Sequence, residues 1–549
     1  MAITLLPYNG VMPLAPTPRS YRRRRVKLLN LWTPLKKLVF AIANGVPWIH
    51  RIVNRVAIND LVAAEPSRPH PWSTVSDYTS WLALTDKTWS ARSLPARHVN
   101  PASLPDLTKL QEFFRRPDGK QRLSDKSTCL FPSFAQYLTD GFIRTVMPVQ
   151  GQSQDVRRRN TSNHEIDLCP LYGRTQQQTD ALRLNSEVRD KKGRLKSQSI
   201  NGEEFPPFLF EDNGKTTKAE FATLDPPLHL NDIEDSEWLR SIFAVGGDRA
   251  NASPQVAMMN TLWLREHNRM AGLIEQANPS WPDEQVFQFA RNVVIVEFIN
   301  IVVEDYINHI SPEPFTLLAD PSVCWDAPWN KPNWITTEFS LLYRWHSLIP
   351  DQLTWNGVSY PVAQTLMNNQ LLTSATLESA FVSVSAQKAG HLGAFNTADA
   401  LVPIEVYSIT QGRACELDTY SNYRKSASQS QPKGFEDVST DQKVVDFLKS
   451  QYKTVDDVEF YIGLFAEDTV TNSPLPQLLG TMVAVDAFSQ ALPNPLLSRS
   501  VFKPETFTKV GWDSIQNTSK LSDVVLRNNP GGSSTGRIAM TQLGWKRQW

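Results

Sequence analysis

The chain has 549 residues, of which 41% are hydrophobic and 10% aromatic, a composition typical of a folded globular protein that buries a large core. Its 56 basic residues balance its 56 acidic residues, so the overall charge gives no reason to expect a nucleic acid as partner. Its four cysteines, Cys129, Cys169, Cys324 and Cys415, are widely separated, which argues against both a disulfide framework and a zinc site.

The N-terminal region differs in composition from the rest. Residues 1–25 end in four arginines, Arg22 to Arg25, and we expect them to be disordered. Residues 26–75 mix short apolar stripes with tryptophans and basic residues, a pattern typical of amphipathic helices that lie flat on a membrane. Amphipathic helices that simply dock on the body of the protein are the alternative.

No stretch reaches the roughly 18 uninterrupted apolar residues that a bilayer-spanning helix needs. The first twenty residues also lack the basic start, apolar centre and cleavage site of a secretory signal. We therefore expect an intracellular protein that is soluble or bound peripherally, as a monotopic protein, to a membrane.

Beyond residue 75 the patterns are mainly helical. Met258 to Glu275 predicts one helix, and Glu284 to His309 predicts a second, which is apolar on nearly every face and therefore central and fully packed. Its start signal is Ser280-Trp281-Pro282-Asp283. Strand signals are short and rare, for example around Asn356 to Pro361. The sequence thus predicts a mainly α fold with one large domain over residues 76–530 and a C-terminal tail over 531–549.

Within this domain, Tyr343 stands three residues before His346 in a run that is predicted to be helical. At that spacing both side chains lie on one helix face, about one turn apart. A neutral imidazole can bind a haem iron, and a nearby phenol can then pass an electron to the oxidised haem and become a tyrosyl radical. By itself the Tyr-x-x-His spacing also suits an ordinary packed core.

Longer motifs carry a resemblance to a known family. Thr261 to Arg269 reads TLWLREHNR and resembles the LWLREHNR helix of the animal-type haem peroxidase superfamily. The cyclooxygenase (prostaglandin endoperoxide synthase) branch and its fatty-acid dioxygenase relatives are the most similar. Further blocks agree in the family's order: Asp77–Trp81, Ala91–Pro95, Asp167–Gly173, Lys196–Pro207, Trp281–His309 and Glu338–Asp351. The similarity covers roughly residues 26 to 525 and implies a haem peroxidase-like catalytic domain.

The resemblance implies roles for individual residues. His346 would be the proximal ligand of one non-covalently bound haem b, and Tyr343 the radical that abstracts a hydrogen atom from the substrate. Tyr306 would hydrogen-bond Tyr343 and tune its oxidation, Tyr461 would reach the proximal side directly or through a water, and Arg424 matches the arginine that binds a haem propionate.

The implied partners are a polyunsaturated fatty acid and O₂, and a homodimer is compatible with the resemblance. Side chains expected to line the fatty-acid channel are Tyr306, Phe339, Leu342, Trp345, Phe488 and Ser489. Ser489 stands where aspirin acetylates a serine in the animal enzymes. Arg51 and Arg55 are candidates for binding the substrate carboxylate.

Three positions depart from the family pattern, Asp140, Ala252 and Ser421. Gln136 matches the distal glutamine, but Asp140 replaces the distal histidine, and a carboxylate is a poor base unless burial raises its pKa. We therefore expect weakened peroxidase activity, with Asp140 either a substitute base or inert. Arg249 is in register with the distal arginine, a structural ion pair being the alternative. Ala252 replaces the glutamate that forms an ester with haem, and Ser421 the asparagine that orients the proximal imidazole.

These observations favour a haem-dependent, cyclooxygenase-like oxygenase that inserts O₂ into a polyunsaturated fatty acid through a tyrosyl radical. Two alternatives remain: a degenerate haem-binding protein that lacks the peroxidase activity of a distal histidine, and a peroxidase that oxidises small donors.

Overall fold

The computed structural model describes residues 33–62, 90–117, 119–149, 151–228, 230 and 236–548. The predicted disordered lead over residues 1–25 and the Asp77–Trp81 block lie outside the described residues.

Helices dominate the described chain, which confirms the predicted fold class. They are Thr33–Gly45 (α1), Pro47–Val62 (α2), Leu107–Leu110 (α3), Leu130–Asp140 (α4), Cys169–Tyr172 (α5), Gln176–Leu182 (α6), Ser236–Arg240 (α7), Pro254–Ala277 (α8), Asp283–Ile301 (α9), Asn308–Ile310 (α10), Thr337–Leu342 (α11), Gln370–Thr373 (α12), Leu377–Ala386 (α13), Val402–Ala414 (α14), Tyr420–Ser426 (α15), Gln442–Gln451 (α16), Phe460–Ala466 (α17), Gln477–Ala491 (α18), Pro504–Gln516 (α19) and Leu521–Arg527 (α20).

Six short strands form three two-stranded antiparallel sheets within the described residues. They are Leu123–Thr128 (β1), Gln198–Ile200 (β2), Glu203–Phe205 (β3), Gln352–Trp355 (β4), Val358–Pro361 (β5) and Lys388–Gly390 (β6), paired as β1 with β6, β2 with β3 and β4 with β5. The β4–β5 hairpin turns at Asn356 and Gly357, which both have positive φ, as a tight two-residue hairpin turn requires. This hairpin contains Asn356 to Pro361, the stretch that the sequence predicted to form a strand.

The centre of the fold is the pair of helices α8 and α9, which pack against each other. Helix α8 begins after Ser253, whose side chain accepts a hydrogen bond from the Val256 amide, and contains the predicted Met258–Glu275 helix. Helix α9 begins at Asp283 after Pro282, not at a capping Ser280. It continues through the π-helical turn Val302–Ile307 into α10.

The continuous stretch Asp283–Ile310 is apolar and long enough to cross a membrane by composition, but most of its apolar window is buried inside the protein. Helices α19 and α8 cover α9. Packing against these neighbours accounts for an apolar surface on nearly every side, which agrees with the predicted central helix.

The Arg265-Glu266-His267-Asn268 run ties α8 to the chain between residues 193 and 204. Its contacts are Arg265 Nε to Glu204 O (2.7 Å), His267 Nε2 to Gly193 O (2.8 Å), and the Leu195 amide to Asn268 Oδ1 (2.8 Å). The other nitrogen of His267 accepts the Tyr172 hydroxyl at 3.0 Å. Because burial lowers the pKa of His267 to about 3, the ring stays neutral and both hydrogen bonds persist. The motif therefore has a structural role: its side chains fix α8 to the chain between residues 193 and 204.

Removing the carboxylate of Glu266 is expected to destabilise this part of the fold. Glu266 is fully buried and lies 2.6 Å from Arg269 Nη2 and 2.9 Å from Arg527 Nη2. Burial alone would raise its pKa, but the hydrogen bond from Arg269 and the charge of Arg527 hold that pKa below its usual range. We expect Glu266→Ala to lower the free energy of unfolding by about 3 kcal/mol, since it removes a buried carboxylate from two half-buried guanidinium groups, although Arg527 keeps its ion pair with Glu297 at 3.0 Å.

Urea denaturation followed by circular dichroism measures this change. Glu505→Ala serves as the control, because Glu505 is exposed on α19, and surface substitutions usually change stability by less than about 0.5 kcal/mol. Equal midpoints for the two variants would contradict the role given to Glu266.

The two N-terminal helices are amphipathic, as the pattern in residues 26–75 predicts. Their inner side docks on the body through Lys36 Nζ to Glu313 Oε1 (2.9 Å), His50 Nε2 to Thr316 O (2.6 Å) and Arg55 Nη2 to Ser322 Oγ (2.9 Å). Their outer side exposes large apolar residues, with exposed fractions from 42% to 65%: Leu35, Leu38, Ile42, Trp48, Ile52 and Val56. We call these six residues the apolar face of α1 and α2.

At the other end of the chain, the segment 531–548 packs on the same body rather than extending from it. The Thr128 amide donates to Met540 O at 2.8 Å, and the Gln542 amide donates to Lys126 O at 2.7 Å. All four cysteines are buried and unpaired.

Candidate active site

Helix α4 supplies one wall of the candidate site. Gln136 and Asp140 are four residues apart, so they project from the same face of the helix. Asp140 is buried, and its Oδ2 atom has no hydrogen-bond partner among the described residues. Burial raises the pKa of Asp140 to about 7, although the nearby charge of Arg249 opposes this rise. Asp140 is thus poised to exchange a proton near neutral pH.

Arg249 approaches this wall from the loop before α8. The loop is fixed by Gly246, whose amide donates to Pro170 O at 2.8 Å, and a Cβ at Gly246 would lie 2.2 Å from the Gly173 amide nitrogen. Only glycine permits so close an approach of two chain segments. Arg249 makes no ion pair with the part of the chain that the structure describes, and its buried Nη1 has no partner there. The geometry therefore offers no support for the structural ion-pair alternative.

Tyr343 and His346 lie at the end of helix α11, not inside a longer helix. Helix α11 stops at Leu342, and His346 opens a separate 3₁₀ turn, His346–Leu348. The predicted continuous helix is wrong because tertiary contacts decide the conformation here. Asn396 Nδ2 donates to Ser347 O at 3.2 Å, and Gly390 packs so closely that a Cβ there would lie 2.1 Å from that oxygen.

A buried carboxylate faces His346 from helix α14. Glu405 Oε1 lies 3.0 Å from His346 Nδ1 and accepts the Thr397 hydroxyl at 3.0 Å. The other oxygen, Oε2, accepts the Tyr461 hydroxyl at 2.5 Å. Tyr461 therefore reaches His346 through Glu405. Ser421, which stands at the family's asparagine, instead accepts a hydrogen bond from Gln431 at 3.2 Å.

Sequence reasoning missed Glu405. It belongs to no motif that we identified, and the only available signal was a single acid within the otherwise apolar run Leu401 to Ile409. A buried lone carboxylate is costly unless it is paired, so such an acid is worth examining as a functional candidate.

Arg344 joins the two walls of the site. Burial lowers the pKa of Arg344 to about 10, with a further lowering by Arg249, while Tyr461, Asp140 and Glu405 oppose it. The guanidinium therefore interacts electrostatically with Asp140 and Arg249 on one side of the site. On the other side it interacts with Glu405 and Tyr461. Its Nε is buried without a hydrogen-bond partner among the described residues. Asp140 and Glu405 thus belong to one site, with Arg344 between them.

Tyr343 is enclosed by aromatic rings. Burial raises its pKa well above the ordinary value for a phenol, so the hydroxyl keeps its proton at physiological pH. Tyr343 as a whole is half-buried. Neighbouring ring centroids are close together: Phe339–Tyr343 at 4.9 Å, Tyr343–Trp345 at 5.0 Å, Phe131–Trp345 at 5.3 Å and Phe131–Tyr306 at 5.6 Å.

Tyr306 projects from the π-helical turn toward Tyr343. Burial raises the pKa of Tyr306, and its interaction with Tyr343 raises it further, whereas the same interaction lowers the pKa of Tyr343. A hydrogen bond from Tyr306 to the Tyr343 oxygen would act in these directions. The two hydroxyls do not meet ordinary hydrogen-bond geometry, since Tyr306 Oη has no such partner among the described residues.

Helix α18 covers the same region, where it packs on α11 and on the π-helical turn. Phe488 and Leu342 are buried, and Ser489 is half-buried. Asp486, one turn before Ser489, was not predicted as a site residue. It is buried, and its charge raises the pKa of Tyr343. An acid therefore stands close to the phenol at this end of the site.

Arg424 is already bound by protein groups. It forms an ion pair with Glu467, and its Nε donates to Ser430 O at 2.7 Å. Further bonds reach the Tyr420 hydroxyl at 3.2 Å and Gln477 Oε1 at 3.3 Å. Arg344, in contrast, has a free nitrogen at the site, so it is the more available guanidinium for a haem propionate.

The helical fold thus brings a histidine, a tyrosine and opposed charges together in one region. The family model described as animal haem peroxidase matches residues 130–540. The chain belongs to this family, which confirms the resemblance seen in its motifs.

Known relatives agree over nearly the whole chain. Prostaglandin G/H synthase 2 of Gallus gallus is 30% identical over 537 residues, which cover 94% of this chain and 82% of that protein. The same enzyme of Bos taurus is 28% identical over 539 residues, with the same coverage. Among solved structures, the fatty acid alpha-dioxygenase of Oryza sativa superposes with a TM-score of 0.67 at 14% identity, covering 93% of this chain and 97% of that chain.

Proposed function

We propose that this protein is a haem-dependent oxygenase of polyunsaturated fatty acids, with His346 as the iron ligand and Tyr343 as the hydrogen-abstracting radical. The observation that carries the proposal is a set of buried polar atoms without hydrogen-bond partners among the described residues, around one place near His346: Asp140 Oδ2, Arg249 Nη1 and Arg344 Nε. Orphaned polar atoms are costly in a folded protein. A haem bears both the metal and the anionic groups that such atoms would meet.

A haem, when bound, supplies the one-electron oxidant. Residues of this chain carry out the hydrogen-atom transfers and position the substrate. Tyr343 gives up its hydroxyl hydrogen, and its oxygen radical then takes a hydrogen atom from an allylic or bis-allylic carbon, which restores the phenol. O₂ adds to the carbon radical and forms a peroxyl radical. This radical, directly or after ring closure to an endoperoxide, takes the hydroxyl hydrogen of Tyr343, which gives the hydroperoxide and regenerates the tyrosyl radical. Tyr306, which faces Tyr343, would orient the phenol, and the surrounding rings exclude water.

Two findings support a fatty acid as the substrate class. The curated relatives are prostaglandin synthases, and a solved structure of the rice alpha-dioxygenase holds palmitic acid. The greater identity to the prostaglandin synthases favours an unsaturated chain over a saturated one. Oxygen uptake by the haem-loaded protein with arachidonate, linoleate and palmitate tests this choice. Uptake with palmitate alone would overturn the polyunsaturated assignment.

Haem ligation is tested by replacing the proposed ligand. Titration of the purified protein with haem, followed by its Soret absorbance, is expected to show weaker binding for His346→Ala than for wild type. The loss should be at least about tenfold, since even residues that only orient a metal ligand contribute that much. His98→Ala is the control, because His98 is exposed and contacts Glu416. Equal affinity in all three proteins would contradict His346 as ligand.

The second candidate function, a degenerate haem protein, is favoured by one observation, the aspartate at the distal histidine's place. It predicts haem binding without oxygen uptake on any fatty acid. A small-donor peroxidase predicts peroxide turnover with phenolic donors and no fatty-acid oxygenation.

We also propose that the apolar face of α1 and α2 rests on a membrane surface. Leu38 and Trp48 are 57% and 65% exposed there. The double change Leu38→Ser, Trp48→Ser is expected to weaken binding to phosphatidylcholine vesicles roughly 30-fold, because each side chain contributes about 1–3 kcal/mol on leaving water. Vesicle flotation measures this. Leu543→Ser is the control, since Leu543 is 85% exposed but lies in the C-terminal segment. Identical flotation of both variants would contradict the proposal.

A further inference from the structure

Glu405 is held in place from three directions. Its side chain is only 2% exposed, the Tyr461 hydroxyl donates to one oxygen at 2.5 Å, and the Thr397 hydroxyl donates to the other at 3.0 Å. The oxygen that accepts from Thr397 is the one that lies 3.0 Å from His346 Nδ1. The two hydroxyl donors therefore fix the carboxylate with Oε1 beside the imidazole, and acceptor positions remain for the ring.

A carboxylate in this position needs compensation. Transfer of a carboxylate out of water costs several kcal/mol even after relaxation. Here the two hydroxyl donors and the positive charge of Arg344, which interacts with Glu405, offset that cost. A neutral side chain could fill the same space at a lower desolvation cost. The presence of an acid at this position therefore indicates a functional role.

We propose that Glu405 is the positioning residue of His346: it accepts the Nδ1 proton, fixes the tautomer that leaves Nε2 free for iron, and increases electron donation by the ring. This inference rests on the proposed function, in which His346 binds the haem iron. The Nδ1–H direction is now off the line to Oε1, so the pair lacks hydrogen-bond geometry.

The consequence is a change in the electronic properties of the iron. A carboxylate behind a ligating imidazole makes the ring more basic than a neutral partner does. A more basic ligand stabilises the ferric state relative to the ferrous state and lowers the reduction potential, since axial ligation and its hydrogen bonds set that potential. The chain thus replaces the neutral partner expected at residue 421 by a charged one from a different helix.

The test compares reduction potentials of the haem-loaded proteins. Glu405→Gln keeps the shape and removes the charge, and we expect the ferric/ferrous potential to rise. A tenfold change in the ratio of ferric to ferrous affinity corresponds to about 59 mV for one electron. The iron–histidine stretching band in the resonance Raman spectrum should fall in frequency, because the ring becomes a weaker donor.

Glu338→Gln is the matched control. Glu338 is also fully buried and accepts a tyrosine hydroxyl, that of Tyr423, at 2.5 Å, but its other partner is the Ser93 amide and not a histidine. It should leave the potential and the stretching band unchanged. Thr397→Val removes a competing donor from Glu405 Oε1, so we expect a smaller shift of the potential in the opposite direction.

The outcomes separate this inference from the proposed function. Wild-type protein that binds haem while Glu405→Gln leaves both readouts unchanged overturns the inference alone. Shifts of equal sign in Glu405→Gln and Thr397→Val also overturn it, because they indicate a general disturbance of packing. Wild-type protein that binds no haem overturns the proposed function and this inference together. Opposite shifts with an unaffected Glu338→Gln establish the role of Glu405.

Discussion

Replacing Tyr343 by phenylalanine is expected to reduce fatty-acid-dependent oxygen uptake to the level of protein without haem, while haem binding stays at the wild-type level. Phenylalanine keeps the ring contacts with Phe339 and Trp345, at 4.9 and 5.0 Å, but has no hydroxyl hydrogen to lose. The hydroxyl is the only part of the side chain that the proposed radical step uses. Packing, and therefore folding, should be little affected.

An oxygen electrode measures uptake with arachidonate, and the Soret band measures haem occupancy in the same sample. Tyr452→Phe is the control, because Tyr452 is a buried tyrosine whose hydroxyl donates to Glu459 at 2.9 Å, away from the site. It should retain full uptake. Substantial uptake in Tyr343→Phe would exclude this phenol as the hydrogen-abstracting group.

Tyr306→Phe offers a graded comparison. Tyr306 faces Tyr343 as a donor, and removing its hydroxyl removes an influence that lowers the pKa of Tyr343. We expect slower oxygenation rather than none, because the radical-forming hydroxyl remains. We expect the rate of oxygen uptake to fall in the order wild type, Tyr306→Phe, Tyr343→Phe. The reason is that orientation of the phenol contributes to the rate separately from the radical step itself.

Much of the framework could be predicted from the sequence because it depends on local patterns. The apolar run after Asp283 predicts a central helix, and the Arg265 to Asn268 run is specific because each side chain has a defined partner in another segment. The amphipathic stripe of residues 26–75 likewise predicts α1 and α2. In each case the residue spacing along the chain contains the information.

The interior of the site could be predicted only in part. Tyr343, His346 and Asp140 were identified through motifs, but the break in the helix after Leu342 depends on hydrogen bonds to Ser347 from a distant segment. Glu405 and Arg344 were missed for the same reason. Their importance arises from partners that are remote in sequence, and no local pattern in one sequence reports such contacts.

The chain therefore combines the helical framework of its family with a particular set of charged residues at the site. Asp140, Asp486 and Glu405 place acidic groups around Tyr343, Arg344 and His346. Arg344 partly balances them. In a low-dielectric interior such charges act strongly on the groups between them, so the electrostatics of this site also depend on Asp486 and Glu405, which the motifs did not identify as site residues.

Asp140→His is expected to raise peroxide turnover by the haem-loaded protein. A positioned general acid–base group contributes typically about 10²- to 10⁴-fold, and histidine has an unperturbed pKa near ~6.5 without the help of burial. Asp140 acts as a base only when it is deprotonated. Because burial raises its pKa to about 7, wild-type turnover should increase as the pH rises through 7 and level off above it, and Asp140→Asn should remove this dependence.

The measurement is stopped-flow reduction of hydrogen peroxide between pH 5 and 9 with a phenolic donor. Asp167→Asn is the control, since burial also raises the pKa of Asp167 but its carboxylate accepts the Cys169 amide at 3.0 Å, outside the site. Its pH profile should match that of wild type. If Asp140→Asn keeps the wild-type profile and Asp140→His gives no gain, the carboxylate takes no part in proton transfer, and the distal side of this site is inert.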